Sequence, residues 1–311
     1  MTALDRYFAS ATATLAEVAA TQGEALEAAA RLAADSVAGG GVLHLFGAGH
    51  SQLVALDAYL RAGGLACVNP IVDPALAPAA GPDVGRVERT PGHAAAVLEG
   101  EDLRPGEVVV VVSNSGVNPV PVEVALGCRD RGLRVVALTN VEQAKATAAR
   151  HASGAKLHEL ADVVLDNRCP TGDAAVPLAG GDAVGPTTTV VGAAMVAALT
   201  ARVAELLLER YGIRAVIGKG GMQEEVYQTA FRQHGAIYLT TVGYGLGAIY
   251  GQGIRRAGPG RSSLQPTPGA QWAMASPPHA ALRESDSESL RSSSRACPQL
   301  VDAPRARRPR V

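Results

Sequence analysis

The sequence predicts an α/β protein with a parallel sheet covered by helices on both faces, and three observations carry that prediction. The run Val108–Val112 is five β-branched residues with no polar alternation, as in a strand buried on both sides. Short apolar runs alternate with helical segments along the first two thirds of the chain, the pattern of successive strand–helix crossovers. Two of these runs end in Gly/Ser-rich text, "GAGHS" at 47–51 and "SNSGVN" at 113–118, where open parallel sheets place their ligand loops.

The elements follow in order. Residues 2–38 are alanine-rich with Leu15, Val18, Leu26 and Leu32 at helical spacing, and Gly39–Gly41 ends the helix. A strand at 42–46 leads through "GAGHS" into a helix with Leu53, Leu56 and Leu60 on its apolar face, ending at Gly63–Gly64. A second strand starts near Ala66. Residues 73–92 are irregular, rich in Pro, Gly and Ala, and a short helix spans 93–99. After the valine strand come a helix at 119–131, a strand at 134–139, a helix at 142–151 and a strand at 162–166. A long loop then reaches an apolar helix at 188–209.

Composition bounds the function. With 311 residues, 18% of them charged, and a net charge of −1, the chain has no basic footprint for nucleic acid. No uninterrupted apolar run of about 18 residues marks a membrane span, and the N-terminus does not open a signal peptide. Cys67, Cys128, Cys169 and Cys297 form no C-x-x-C pair, which disfavours disulfides and a cysteine metal site. The expectation is a cytoplasmic protein with no metal or cofactor and no membrane partner.

If the strand order is 2-1-3-4-5, the strands at 42–46 and 108–112 are neighbours where the winding reverses, and their loops face one crevice. Backbone N–H groups at helix N-termini with serine hydroxyls make a phosphate cradle. "GPTTT" at 185–189 is a third wall. One Gly/Ser turn alone is explained by sterics and capping; two from adjacent strands beside a Thr-rich cap favour a phosphate site. A dinucleotide site fits less well, because Gln52 stands where G-x-G-x-x-G needs its third glycine. An acid–base enzyme also needs a carboxylate or imidazole near the crevice. Glu88 and His93, in "VERTPGHA", are the best placed, with a solvated surface role as the alternative; His50 in its loop carries the same ambiguity.

The quoted loops, with "YLRAGGLACVNPI", "VVSNSGVNPVPVE", "ARHASGAKL" and "VGPTTTVVGA" in order, resemble a sugar isomerase (SIS) domain of an uncharacterised bacterial branch over residues 1–208. The resemblance implies a flavodoxin-like three-layer sandwich around a five-stranded parallel sheet, a small-molecule sugar phosphate as ligand, and a homodimer or higher oligomer. It implies a binding set of Gly49, His50, Ser51, Ser113, Asn114, Ser115, Asn118, Thr187 and Thr188, with Glu88 and His93 as catalytic candidates. The family includes isomerases, an etherase and non-catalytic regulators, and fold does not choose among them.

Residues 211–256, from "YGIRAVIGKGG" to "GQGIRR", resemble a short α/β fragment of the C-terminal (β-subunit) domain of class I fumarate and tartrate dehydratases. Lys219 would contact a substrate carboxylate there. The arginine of that family's upstream element is missing after Thr187–Thr188, and its cluster cysteines belong to another domain, so a solvated lysine is the better reading. Residues 257–311 hold nine serines, eight prolines and eight arginines with no apolar periodicity, which predicts a disordered tail. The abrupt change reads as a fusion followed by a shifted or truncated frame; a basic tail with a partner is the alternative. The expected domains are thus 1–210, 211–256 and 257–311. The leading function is phosphosugar binding with aldose–ketose isomerisation, followed by a sugar-phosphate sensor and then a dehydratase fragment.

Overall fold

The five valines form the middle strand of a five-stranded parallel sheet. Val108, Val110 and Val112 enter one apolar cluster, and Val109 and Val111 enter the other. Successive strand side chains point to opposite faces, so an unbroken apolar run is what two covered faces require.

The computed structural model describes residues 1–210 and two further strands, at 215–219 and 237–241. Its elements are α1 (Ala3–Thr21), α2 (Gly23–Ala38), β1 (Leu43–Gly47), α3 (His50–Asp57), β2 (Val68–Ile71), α4 (Val84–Glu88) and α5 (His93–Glu99). They continue with β3 (Val108–Val112), α6 (Pro119–Asp130), β4 (Arg134–Thr139), α7 (Val141–Ala146), α8 (Leu157–Leu160) and β5 (Val163–Asp166). A small antiparallel pair, β6 (Val176–Pro177) and β7 (Ala183–Val184), precedes α9 (Thr188–Arg210). The sheet order is β2-β1-β3-β4-β5, the order under which the two Gly/Ser loops face one crevice, and every pair is parallel. One face packs on α2, α3 and α9; the other packs on α5, α6 and α8.

Several elements differ from expectation: among them α3 stops at Asp57 rather than near Gly63, leaving Leu60 outside it, and the stretch 73–92 expected to be irregular holds α4. The first helix is two, broken at Gln22, a buried residue whose side-chain oxygen accepts from the Asp166 N–H at 3.0 Å. That bond to the end of β5 holds Gln22 in a non-helical conformation (φ −105°, ψ 5°). In α3 the core face is Gln52, Val54 and Ala55, while Leu53 and Leu56 are each 40% exposed; the leucines mark the outer face. The helix after β4 ends at Ala146 rather than 151. The residues freed from it fold back over the loop after β3, where the Arg150 N–H donates to the Val117 carbonyl.

Among the described residues, α9 is the one helix long and apolar enough to cross a membrane by length and composition. Its Val191, Met195, Leu199 and Val203, one turn apart or nearly so, are buried in the domain core, the stripe of an amphipathic core helix. In the C-terminal region β8 (Ala215–Lys219) and β9 (Ile237–Thr241) pair in parallel, and Lys219 is the last residue of β8. The rest of 211–256 and the tail from 257 lie outside the described residues.

Among the described residues, Cys67, Cys128 and Cys169 are free, buried thiols. Burial pushes Cys67 and Cys169 up to about 11 and Cys128 up to about 12. At pH 8 each is on the order of 0.1% thiolate or less, and the thiolate is the reactive form. Iodoacetamide on the native protein should therefore leave all three unmodified by peptide mass mapping, and guanidinium should expose all three. Rapid native alkylation of any one would contradict its packing.

Candidate functional site

β1 and β3 lie side by side with Gly47 opposite Val112, and the sheet winds away from this pair in both directions. Two loops therefore rise from adjacent strand ends and open a crevice between them. Its polar lining is Ser51, Asn114, Asn167, Thr188 and Thr189, over a floor of Val54, Val112 and Leu138. The three segments singled out in the sequence, 47–51, 113–118 and 185–189, each contribute to that wall or adjoin it.

The first loop depends on its glycines. A Cβ at Gly47 would lie 2.4 Å from the backbone of Ser51, so only glycine lets α3 start that close to its strand. Gly49 has φ +58°, in the left-handed region. Its N–H donates to the Leu76 carbonyl at 2.8 Å, and Gln52 Nε2 donates to the Asp73 carbonyl at 3.1 Å. The loop is thus tied to the turn that follows β2. His50 is exposed and Ser51 half-buried.

In the second loop, Ser113 is buried and its Oγ accepts from the Gly116 N–H at 3.3 Å. Ser115 is half-buried. Asn114 bridges the sheet: its Oδ1 accepts from Asn167 Nδ2 at 2.9 Å and its Nδ2 donates to Gln143 at 3.1 Å. Asn118 begins α6 but makes no side-chain cap there; its Oδ1 accepts from Arg150 at 2.7 Å.

The third wall is arranged differently from the sequence expectation. The N–H groups of Thr187 and Thr188 both donate to Asp173 Oδ1 at 2.8 Å, and the Thr188 hydroxyl donates to Oδ2 at 2.6 Å. The chain's own carboxylate thus sits on the N-terminus of α9, where the helix dipole favours an anion. Thr187 is fully buried with its hydroxyl beside the Cys169 thiol, and Thr188 and Thr189 line the crevice instead.

The acid–base candidates come from the segment after β2. His93 Nε2 is 2.6 Å from Asp73 Oδ2, both partly buried. Asp73 Oδ1 accepts from the Ala75 N–H at 2.8 Å, so this carboxylate is fixed and in turn orients the imidazole. Glu88 is half-buried at the end of α4. It lies one turn beyond Val84, whose side chain stands 3.6 Å from where a Gly49 Cβ would be, so residues 84 and 88 share the helix face toward the first loop.

Thr189 lies in the "GPTTT" wall marked in the sequence, whereas Asp73, Asn167 and Asp173 were not among the residues the sequence singled out. Asn167 had a readable signal: it directly follows β5, and the strand-end argument used for β1 and β3 applies to it equally. The others depend on contacts between segments distant in sequence.

The chain matches the SIS domain over residues 6–140. It is 42% identical over 210 residues to a UPF0309 protein of Streptomyces coelicolor, covering 64% of this chain and 81% of that one. It is 36% identical over 212 residues to a UPF0309 protein of Shouchella clausii, covering 67% and 86%. Among solved structures, a phosphoheptose isomerase from Neisseria gonorrhoeae superposes with a TM-score of 0.45 at 18% identity, covering 65% of this chain and 97% of that one. With its strand order, its two loops at the switch point and these identities over most of the relatives' length, the chain belongs to the UPF0309 family and carries an SIS domain.

Proposed function

We propose that the crevice binds a phosphorylated sugar and that Glu88 and His93 interconvert its aldose and ketose forms. The observation that carries this reading is the meeting of the β1 loop, the β3 loop and the first turn of α9 around one polar crevice at the switch point. The hydroxyls of Ser51, Ser113 and Ser115 hold the phosphate, with Gly49, His50, Asn114, Asn118 and Thr188 around them. The sugar then extends toward the segment after β2.

In that pose the Glu88 carboxylate removes the proton from C2 of the open-chain aldose. The C1 carbonyl becomes an enediolate oxygen, and Glu88 returns the proton to C1 as the C2 oxygen becomes the ketone carbonyl. His93, with Nε2 committed to Asp73, has Nδ1 left to move the hydroxyl proton between O2 and O1. Catalysis at such a site needs both the proton carrier and electrostatic support for the enediolate.

A thermal-shift panel of pentose, hexose and heptose phosphates against C4 diacids tests the ligand class. Stabilisation by diacids alone would overturn the reading. Turnover is then read by NMR as exchange of solvent deuterium from D2O into C1 of the ketose formed. Glu88→Gln should keep sugar-phosphate affinity within about twofold and lower exchange by a hundredfold or more, the range removed with a general base. Full exchange in that variant would take Glu88 out of the mechanism. Binding without exchange in the wild type would make the chain a sugar-phosphate sensor.

A further inference from the structure

We propose that Arg150 is the charged arm of the anion site, a guanidinium held against the β3 loop to meet the ligand's phosphate. This rests on the phosphosugar reading above and names a residue that it lacks.

A phosphate dianion needs several N–H donors at a helix N-terminus or a cation beside it. The helix ends around this crevice are poor in donors. α6 begins Pro119-Val120-Pro121, so two of its first three residues have no N–H. At α9 the first N–H groups and the Thr188 hydroxyl are taken by Asp173, whose charge also repels an incoming anion. In α3 the N–H groups of Ser51 and Gln52 donate to Ala48 and Gly49 carbonyls. The two loops themselves, 47–51 and 113–118, contain no lysine or arginine.

Arg150 fills that gap from outside them. Its N–H donates to the Val117 carbonyl at 3.0 Å, and its guanidinium donates to Asn118 Oδ1 at 2.7 Å. Asn118 is buried and neutral, so it fixes the guanidinium without cancelling its charge. Among the described residues Arg150 makes no ion pair with a carboxylate. Its segment is pinned at the far end by the Leu157 N–H on the Gly116 carbonyl at 2.8 Å. Within it, His151 Nδ1 accepts from the Ser153 hydroxyl at 2.7 Å. Lys156 is turned away from this role, its Nζ donating to the Ala144 carbonyl at 2.7 Å. Arg150 itself is exposed, so a ligand can reach the guanidinium edge that Asn118 does not use. A guanidinium held this way has lost much of its freedom before the ligand arrives.

The test is calorimetric titration of the full chain with inorganic phosphate and glucose 6-phosphate. Wild type, Arg150→Ala, Arg150→Gln, Arg150→Lys and the double variant Ser113→Ala/Ser115→Ala are compared, with melting temperatures as a control for folding. Arg150→Ala and Arg150→Gln should weaken both ligands at least tenfold, about 1.4 kcal/mol. Arg150→Lys should fall between them and wild type, because it keeps the charge and loses the fork. Wild-type affinity in Arg150→Gln, with binding lost in the serine variant, would overturn the role of Arg150 and leave the phosphate reading intact. No binding of either ligand by wild type would overturn both.

Discussion

Replacing Ser113 and Ser115 together by alanine is expected to remove sugar-phosphate binding while the sheet stays folded. Each charge-assisted hydrogen bond to a phosphate oxygen contributes about 1.5–3 kcal/mol, so losing two weakens affinity by a hundredfold or more. The two residues do not act alike. Ser113 is buried and accepts from the Gly116 N–H, and Gly116 turns the loop at φ +61°. Its removal therefore also loosens the loop that presents Ser115. Calorimetry with the best sugar phosphate from the panel measures the loss, and urea denaturation shows a midpoint only slightly lowered. Unchanged affinity would place the phosphate elsewhere.

Gly47→Ala is expected to be the most damaging single-methyl change near the crevice. The added Cβ meets the Ser51 carbonyl carbon and oxygen at 2.4 Å and the Gln52 nitrogen at 2.7 Å, all of them backbone. No rotamer change relieves such a clash, so α3 must shift as a body. That shift also pulls on the Gly49–Leu76 and Gln52–Asp73 bonds, and hence on the carboxylate that orients His93. A destabilisation of about 3 kcal/mol or more follows, at the upper end for overpacking, together with loss of ligand binding. Gly100→Ala is the control, since nothing stands within 4 Å of its Cβ position. A wild-type urea midpoint for Gly47→Ala would show that the β1–α3 junction is looser than its geometry implies.

The sequence alone determined a sheet covered on both faces and marked the two Gly/Ser loops at its strand ends. Five valines without alternation can only be satisfied by two covered faces, and Val108–Val112 divide between the two clusters as that requires. Gly/Ser text after two of the strands marks the loops, which share one opening because the observed order makes β1 and β3 neighbours. Both inferences rest on short-range properties, side-chain period and turn chemistry, which a linear string displays. Tertiary structure alone decided which polar groups meet around these loops. Asp173 reaches Thr187 and Thr188 across about 14 residues, Asp73 meets His93 across 20, and Arg150 meets Asn118 across 32. None of these pairs has a local signature, because the separations are set by how loops close around the finished sheet. The outward turn of Leu53 and Leu56 has the same origin: periodicity identifies a helix, but only the neighbour packed against it selects the buried face.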